Sequence, residues 1–350
     1  MNAMSLQKVR QLPLVITMGD PAGIGPEIIV QALARRPDLL GQVVVAGDVP
    51  TMERARELLS MDPARVLPQV REVGAVDAPQ EEVPAIRVVQ ACGRHRLVPF
   101  GQLSGVAGQA AAECIAAAAR WTLAGKASAM VTAPVHKEAL AAAGLPHPGH
   151  TEYLQALAAE HQNLPVDRVP VRMMLSAPGL ATVLVSIHVS LRAALGSLST
   201  EGILETVRIT AAHFSRCGVP TARIAVAGLN PHAGEGGLFG REDIDVIGPA
   251  VASARALGID ASGPHAPDTV FMRARQGAFD VVVAMYHDQG LIPIKLLGLE
   301  HGVNTTLGLP LIRTSPDHGT AFDLAGSGRA DPSSLLAAID AAFAMSAGAQ

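Results

Sequence analysis

Aromatic residues are scarce in this chain, at 3% of 350 residues. That leaves little for the stacking platforms on which single-stranded nucleic acids are held. Positive charge is also missing. The formal net charge is −4 with His neutral, and without a basic face there is no electrostatic footprint for nucleic acid. Cysteine is sparse and odd in number. Cys92, Cys114 and Cys217 form no C-x-x-C pair, which fits a reducing cytoplasm and not a disulfide framework. Each is read as a small core residue. No apolar run reaches the roughly 18 residues that suggest a membrane-spanning helix. The opening M-N-A-M-S-L-Q-K lacks the apolar region of a signal peptide. Together these absences point to a cytoplasmic protein with no membrane and no nucleic-acid partner. Nucleophile elbow, Walker A loop and H-E-x-x-H helix are absent too, which sets aside the enzymes built on them.

What is present is aliphatic. Hydrophobic residues make up 49% of the chain, enough for a large core and one or two domains. Short aliphatic runs read as buried strands at 14–17, 43–46, 129–132, 182–187, 224–227 and 281–284. Helical patterns lie between them at 106–123, 154–161, 200–214, 249–257 and 334–345, with Ser197 and Ser199 as caps before the third. Alternation of the two predicts an α/β fold with a doubly wound sheet. The stretch 62–84 has weak periodicity and reads as loop and edge structure. A split near residue 127, with the chain returning at its end, divides the protein into a first α/β domain (1–126 plus about 320–350) and a second (127–319).

Polar residues concentrate in three islands rich in Gly and Pro: G-H-T-E-Y around His150, G-L-N-P-H-A-G-E-G-G around His232, and a long block from Tyr286 to Asp331. Gly and Pro set backbone shape in such stretches, so the block reads as loops that carry function. His188, His232 and His287 each follow a strand, where α/β folds place their sites. Three imidazoles that leave a position open are also the arrangement of catalytic zinc. Taken singly, each reads first as a satisfied polar residue; together, each at a strand end with Gly or Pro close by, they point to a site. Lys295 sits in the apolar run I-P-I-K-L-L, snorkelling or buried with a task. Arg313 is either a bidentate anion receptor or one half of a surface ion pair. D-P-A-G-I-G-P-E, at 20–27, follows a strand as a phosphate loop would. It has Ile28 where the dinucleotide fingerprint needs glycine, so a tight turn opening a helix is the other reading.

These motifs resemble the PdxA family, the 4-hydroxythreonine-4-phosphate dehydrogenases of vitamin B6 biosynthesis. The resemblance is nearly full length. It rests on I-T-M-G-D-P-A-G-I-G-P-E (16–27), V-T-A-P-V-H-K (131–137), P-G-H-T-E-Y (148–153), G-L-N-P-H-A-G-E-G-G (228–237), D-T-V-F (268–271), A-M-Y-H-D-Q-G (284–290) and the C-terminal block. It implies a homodimer of two α/β/α domains with a cleft between them, similar in fold to the isocitrate and isopropylmalate dehydrogenases. It implies NAD, and a divalent metal (zinc, magnesium or cobalt) on His188, His232 and His287, one of them from the partner subunit. Substrate contacts fall on His150, Thr151, Lys295, Asn304 and Arg313. Lys295 is then the acid–base candidate, and Asp268 and Asp288 would orient imidazoles.

The block 317–326, D-H-G-T-A-F-D-L-A-G, is similar to the adenosine loop of the isopropylmalate dehydrogenases. That assigns Gly319, Thr320 and Asp323 to the cofactor, unless Asp323 caps a helix starting near Leu324. Two departures from the B6 enzymes, S-I-H-V-S-L (186–191) and G-L-I-P-I-K (290–295), resemble the branch acting on D-threonate or D-erythronate 4-phosphate. A third branch oxidises the cis-dihydrodiol of terephthalate, and the kept Asn304 and Arg313 favour a phosphorylated acid over it. A metal-dependent lyase without nicotinamide and a non-catalytic metal-binding paralogue stay open.

Overall fold

The computed structural model describes residues 12–79, 83–94, 96–147 and 149–348. Residues 1–11, and Pro148 of the His150 island, lie outside them. Twelve strands form one sheet: β1 (Leu14–Thr17), β2 (Val43–Gly47), β3 (Val70–Glu72), β4 (Ile86–Gln90), β5 (Met130–Thr132), β6 (Arg172–Ala177), β7 (Leu180–Leu184), β8 (Ile224–Ala227), β9 (Ala261–His265), β10 (Val281–Ala284), β11 (Val303–Leu307) and β12 (Arg313–Pro316). Their spatial order is β3-β4-β2-β1-β5-β12-β11-β6-β7-β10-β8-β9. Strands β1, β2, β5, β8 and β10 are the aliphatic runs read from the sequence, and every residue in their Val-, Ile- and Leu-rich segments is buried. Helices cover both faces, which is why these strands are apolar throughout and do not alternate.

The sheet is mixed, not parallel throughout. Parallel pairing holds at both ends, but β12-β11, β11-β6 and β6-β7 are antiparallel. The β6-β7 hairpin turns on Pro178 and Gly179, with Gly179 at φ 80°. Proline followed by a glycine of positive φ is the chemistry of a type II turn.

Helix 200–216 starts where expected, with the Ser199 hydroxyl accepting the Gly202 N–H at 3.1 Å. Strand β7 ends at Leu184, three residues earlier than its apolar run suggests, because residues 185–188 leave the sheet for the site. Cys92 and Cys114 are core residues as expected, whereas Cys217 is only partly buried at the end of helix 200–216.

The reading of 286–331 as loops is corrected. Residues His287–Lys295 form a helix despite Pro293, and β11 and β12 lie in the middle of the sheet. Leu291 and Ile294 pack with Leu175, Leu184 and Val282, burial that offsets the hydrogen bond lost at proline. Gly290 lets that helix lie close on β7, since a Cβ there would stand 2.5 Å from Leu184 Cδ2. The 62–84 stretch supplies the edge strand β3, as read, its residues 80–82 lying outside those described.

Apolar packing is separate on the two sides of a junction in the sheet, the antiparallel strands β12, β11 and β6. One cluster joins β1, β2, β4 and β5 to helices 25–35, 105–123 and 333–348. Two others cover the opposite faces around β8 and β10. The central strands β12, β11 and β6 connect them.

Candidate active site

A cavity of about 430 Å³ opens over the middle of the sheet, beside β5, β12, β11 and β6. Its walls carry Thr132 from β5, His150 and Thr151 from the first turn of helix 150–162, His188 from beyond β7, His287 and Lys295 from the two ends of helix 287–295, and Asn304 and Arg313 from β11 and β12. All five expected substrate contacts therefore share one cavity, together with two of the three expected metal ligands.

Arg313 is the strongest electrostatic feature. Its residue is 3% exposed. Nε and Nη2 donate to the Thr132 hydroxyl at 3.0 and 2.7 Å, and Nη1 donates to the Thr306 hydroxyl at 3.1 Å. Among the described residues no carboxylate bonds to it. Burial pushes the guanidinium down to about 10, with the field of Glu152 opposing. Of five N–H groups, three have neutral partners, and one on each terminal nitrogen is left for an anion. Thr132 and Thr306 were not singled out in the sequence. For Thr306 a signal existed, because Asn304 and Thr306 fall on one strand face by the two-residue period.

His150 stands beside it. Its imidazole lies beside the Ala133 carbonyl, and Nε2 is buried with no hydrogen-bond partner. Burial first, and then Arg313, push its pKa well down, so the ring is neutral with an acceptor nitrogen to spare. Lys295 Nζ lies 3.3 Å from Asp317 Oδ2, a partner the sequence reading passed over.

His188 and His287 face each other with ring centroids 5.7 Å apart. They meet because β7 and β10 are parallel neighbours whose carboxyl ends open on the same side. His188 is held below the ordinary histidine range by burial, by Lys137 and by His287. Asp288 Oδ1 lies 2.7 Å from His287 Nδ1, an orienting contact that leaves the other ring nitrogen free.

His232 is elsewhere. It does not line the cavity and is exposed. Its loop runs through left-handed backbone at His232 (φ 52°), Ala233 (φ 53°) and Glu235 (φ 43°). The Asp243 carboxylate anchors it, accepting the N–H groups of Leu229 and Asn230 at 2.8 and 3.2 Å. Among the described residues of one chain, no group of three His, Cys, Asp or Glu side chains is arranged to hold a metal. Asp268 is exposed, does not line the cavity and bonds to no imidazole there.

The 317–328 segment begins at the cavity and leads away from it. Gly319 has open space where a Cβ would sit, and the Thr320 carbonyl accepts the Ile24 N–H at 3.1 Å. Asp323 is exposed, and no helix begins at Leu324; the next starts at Ser333. The capping reading of Asp323 is therefore removed. The D-P-A-G-I-G-P-E stretch is the tight turn that opens helix 25–35. Its Glu27, 0% exposed, accepts the N–H groups of Gly326 and Gly328 at 2.6 and 2.9 Å and ties the 317–328 segment down.

Comparison with known proteins agrees with this geometry. The sequence pattern of the family described as "Pyridoxal phosphate biosynthetic protein PdxA" matches residues 39–342. A 4-hydroxythreonine-4-phosphate dehydrogenase of Beijerinckia indica is 51% identical, covering 94% of this chain and 93% of its own. A D-threonate 4-phosphate dehydrogenase of Pectobacterium atrosepticum is 43% identical, covering 94% and 98%. The crystal structure of a 4-hydroxythreonine-4-phosphate dehydrogenase from Klebsiella pneumoniae superposes with a TM-score of 0.84 at 40% identity, over 96% of this chain and 100% of that one. A terephthalate 1,2-cis-dihydrodiol dehydrogenase from Burkholderia xenovorans gives 0.65 at 30% identity, over 96% and 98%.

Proposed function

The chain belongs to the PdxA family, and on that premise we propose that it is an NAD-dependent dehydrogenase that oxidises and decarboxylates a 4-phosphorylated hydroxy acid. The substrate is 4-phosphohydroxy-L-threonine, or D-threonate or D-erythronate 4-phosphate. The observation that carries this reading is the buried Arg313 guanidinium, which faces the cavity with hydroxyl partners and no carboxylate. Such a charge gains the partner it lacks when the ligand supplies an anion.

The substrates share a hydroxyl β to a carboxylate. Two electrons leave its carbon as hydride, the hydroxyl proton is taken up, and the carboxylate departs as CO2. The electron pair left behind forms an enolate that must then gain a proton. Bound NAD supplies the hydride acceptor. Arg313 holds one anionic end, and the neutral His150 with Thr151 receives groups at the adjoining wall. Lys295 carries the proton for the enolate carbon. Gly319, Thr320 and Asp323 are the cofactor contacts, on the segment held by Glu27.

A divalent metal is proposed on His188 and His287 of one chain and His232 of a second copy. The two facing imidazoles are one ligand short, and His232 is presented outward by a strained left-handed loop. Apolar side chains around all three support a homodimer there: Val189 and Leu191, Leu238 and Phe239, Ile292 and Leu296 are exposed. Held there by the three imidazoles, a metal would supply Lewis-acid polarisation of the substrate hydroxyl.

Reduction of NAD, followed with the three phosphorylated acids and their unphosphorylated forms, tests the assignment. Absorbance growth with one phosphorylated acid is expected. None with any of them, alongside metal-dependent cleavage, would establish the lyase instead.

A further inference from the structure

We propose that Asp317 is the positioning residue for Lys295: a fixed carboxylate that docks the ammonium and so sets where the proton is delivered. The inference rests on the role of Lys295 in the reaction above and adds a residue to it.

The two partners differ in freedom. The Asp317 side chain is 11% exposed, that of Lys295 44%. The Asp317 backbone cannot follow the lysine. It continues directly from β12, whose four residues are all buried between β5 and β11. Its N–H bonds the Ser334 hydroxyl at 3.3 Å, and that hydroxyl donates to the Gly302 carbonyl at 3.0 Å. No hydrogen bond satisfies Asp317 Oδ2, and the Lys295 ammonium at 3.3 Å is what faces it. A carboxylate this enclosed holds a cation firmly, because leaving it unpaired would be costly. The lysine, with its flexible stem, is the member that moves.

Placement makes the pair useful. Lys295 ends helix 287–295, which is seated on β6, β7 and β10. Asp317 ends β12, the strand that also carries Arg313. One strand segment therefore holds both the anion receptor and the docking point of the lysine. The distance from the bound anion to the ammonium is set by β12 and not by the rotamers of a half-exposed side chain. The ion pair also spans the junction of the sheet, so the lysine is held from the side opposite to its own helix.

The test combines kinetics with chemical labelling. K295M should lower kcat by about 10²-fold or more, the scale of lost acid–base catalysis. D317N should lower kcat by about tenfold with the substrate KM changed less than about twofold, since only positioning is lost. In the K295M background, D317N should cost no more than about a further twofold, because a residue acting through Lys295 has nothing left to position. Labelling of Lys295 by an amine-reactive reagent, read by peptide mass, should be faster in D317N. Should D317N not fold, D317E moves the carboxylate by one methylene and should show the same pattern. Losses that multiply in the double variant, an unimpaired K295M, or unchanged labelling of Lys295 would each overturn the proposal. Failure of the wild type to reduce NAD would strike the reaction assigned above, while the labelling still decides whether Asp317 holds the lysine.

Discussion

Arg313 places two guanidinium nitrogens on one neutral hydroxyl, that of Thr132, at 2.7 and 3.0 Å. A carboxylate is the usual partner for that fork. The hydroxyl orients the group without neutralising it, so the charge is kept for a ligand.

Arg313→Met should raise the KM for a phosphorylated substrate by at least about tenfold, since a charge-assisted bidentate contact is worth roughly 1.5–3 kcal/mol. Thermal stability should hold or rise, because an uncompensated buried charge is removed. Inorganic phosphate should raise the melting temperature of the wild type and not of the variant. An unchanged KM together with a lower melting temperature would make Arg313 structural.

His232→Ala should lose metal and activity with little change in fold, as the side chain is exposed and supports no core. Mixing this variant with His188→Ala under subunit exchange separates a shared site from a single-chain one. If His188 and His287 of one copy pair with His232 of the other, half the dimers regain one of two sites. Recovery then approaches about a quarter of wild-type activity, from the two-fold arithmetic of a closed dimer. No recovery despite demonstrated exchange would refute the shared arrangement.

Asp323→Asn should relax a preference for NAD over NADP. The exposed carboxylate accepts from ribose hydroxyls and repels a 2′-phosphate. With no helix starting at Leu324, the change should leave the melting temperature where it was. Steady-state kinetics with both cofactors decide, and a wild type that prefers NADP would end the assignment.

His213 is 4% exposed, and burial pushes its pKa down to about 4. The folded state keeps it neutral, whereas the unfolded chain binds its proton below about 6.5. Its contribution is fully present above that value and is lost as pH falls towards 4. Between pH 7 and 4, the stability difference between wild type and His213→Gln should change by on the order of 3 kcal/mol. Denaturant titrations of both across that range measure it, and parallel pH profiles would contradict it.

The sequence by itself determined the α/β class and most of the apolar strands, because a strand covered on both faces must be aliphatic and the period shows it. The cavity's members His150, Thr151, Lys295, Asn304 and Arg313 were legible too, as polar residues of Gly- and Pro-rich islands that the family resemblance named together. The sequence hid the central strands β11 and β12. Asn304, Thr306, Arg313 and Ser315 are polar because one strand face serves the site, and the opposite face adds the hydroxyls of Thr305 and Thr314, the latter donating to the Ala338 carbonyl, so the segment reads as loop. The partners of the charged groups were equally out of reach. Whether Arg313 meets a carboxylate or a hydroxyl, and whether Lys295 meets Asp317, depends on which strands become neighbours in the sheet. Only the tertiary structure decides that, because those partners are joined through the order of the strands and not through their spacing along the chain. The same holds for His232. Its residue type suited a metal as well as His188 and His287 did, and the left-handed turn after β8 is what carries it out of the cavity of its own chain.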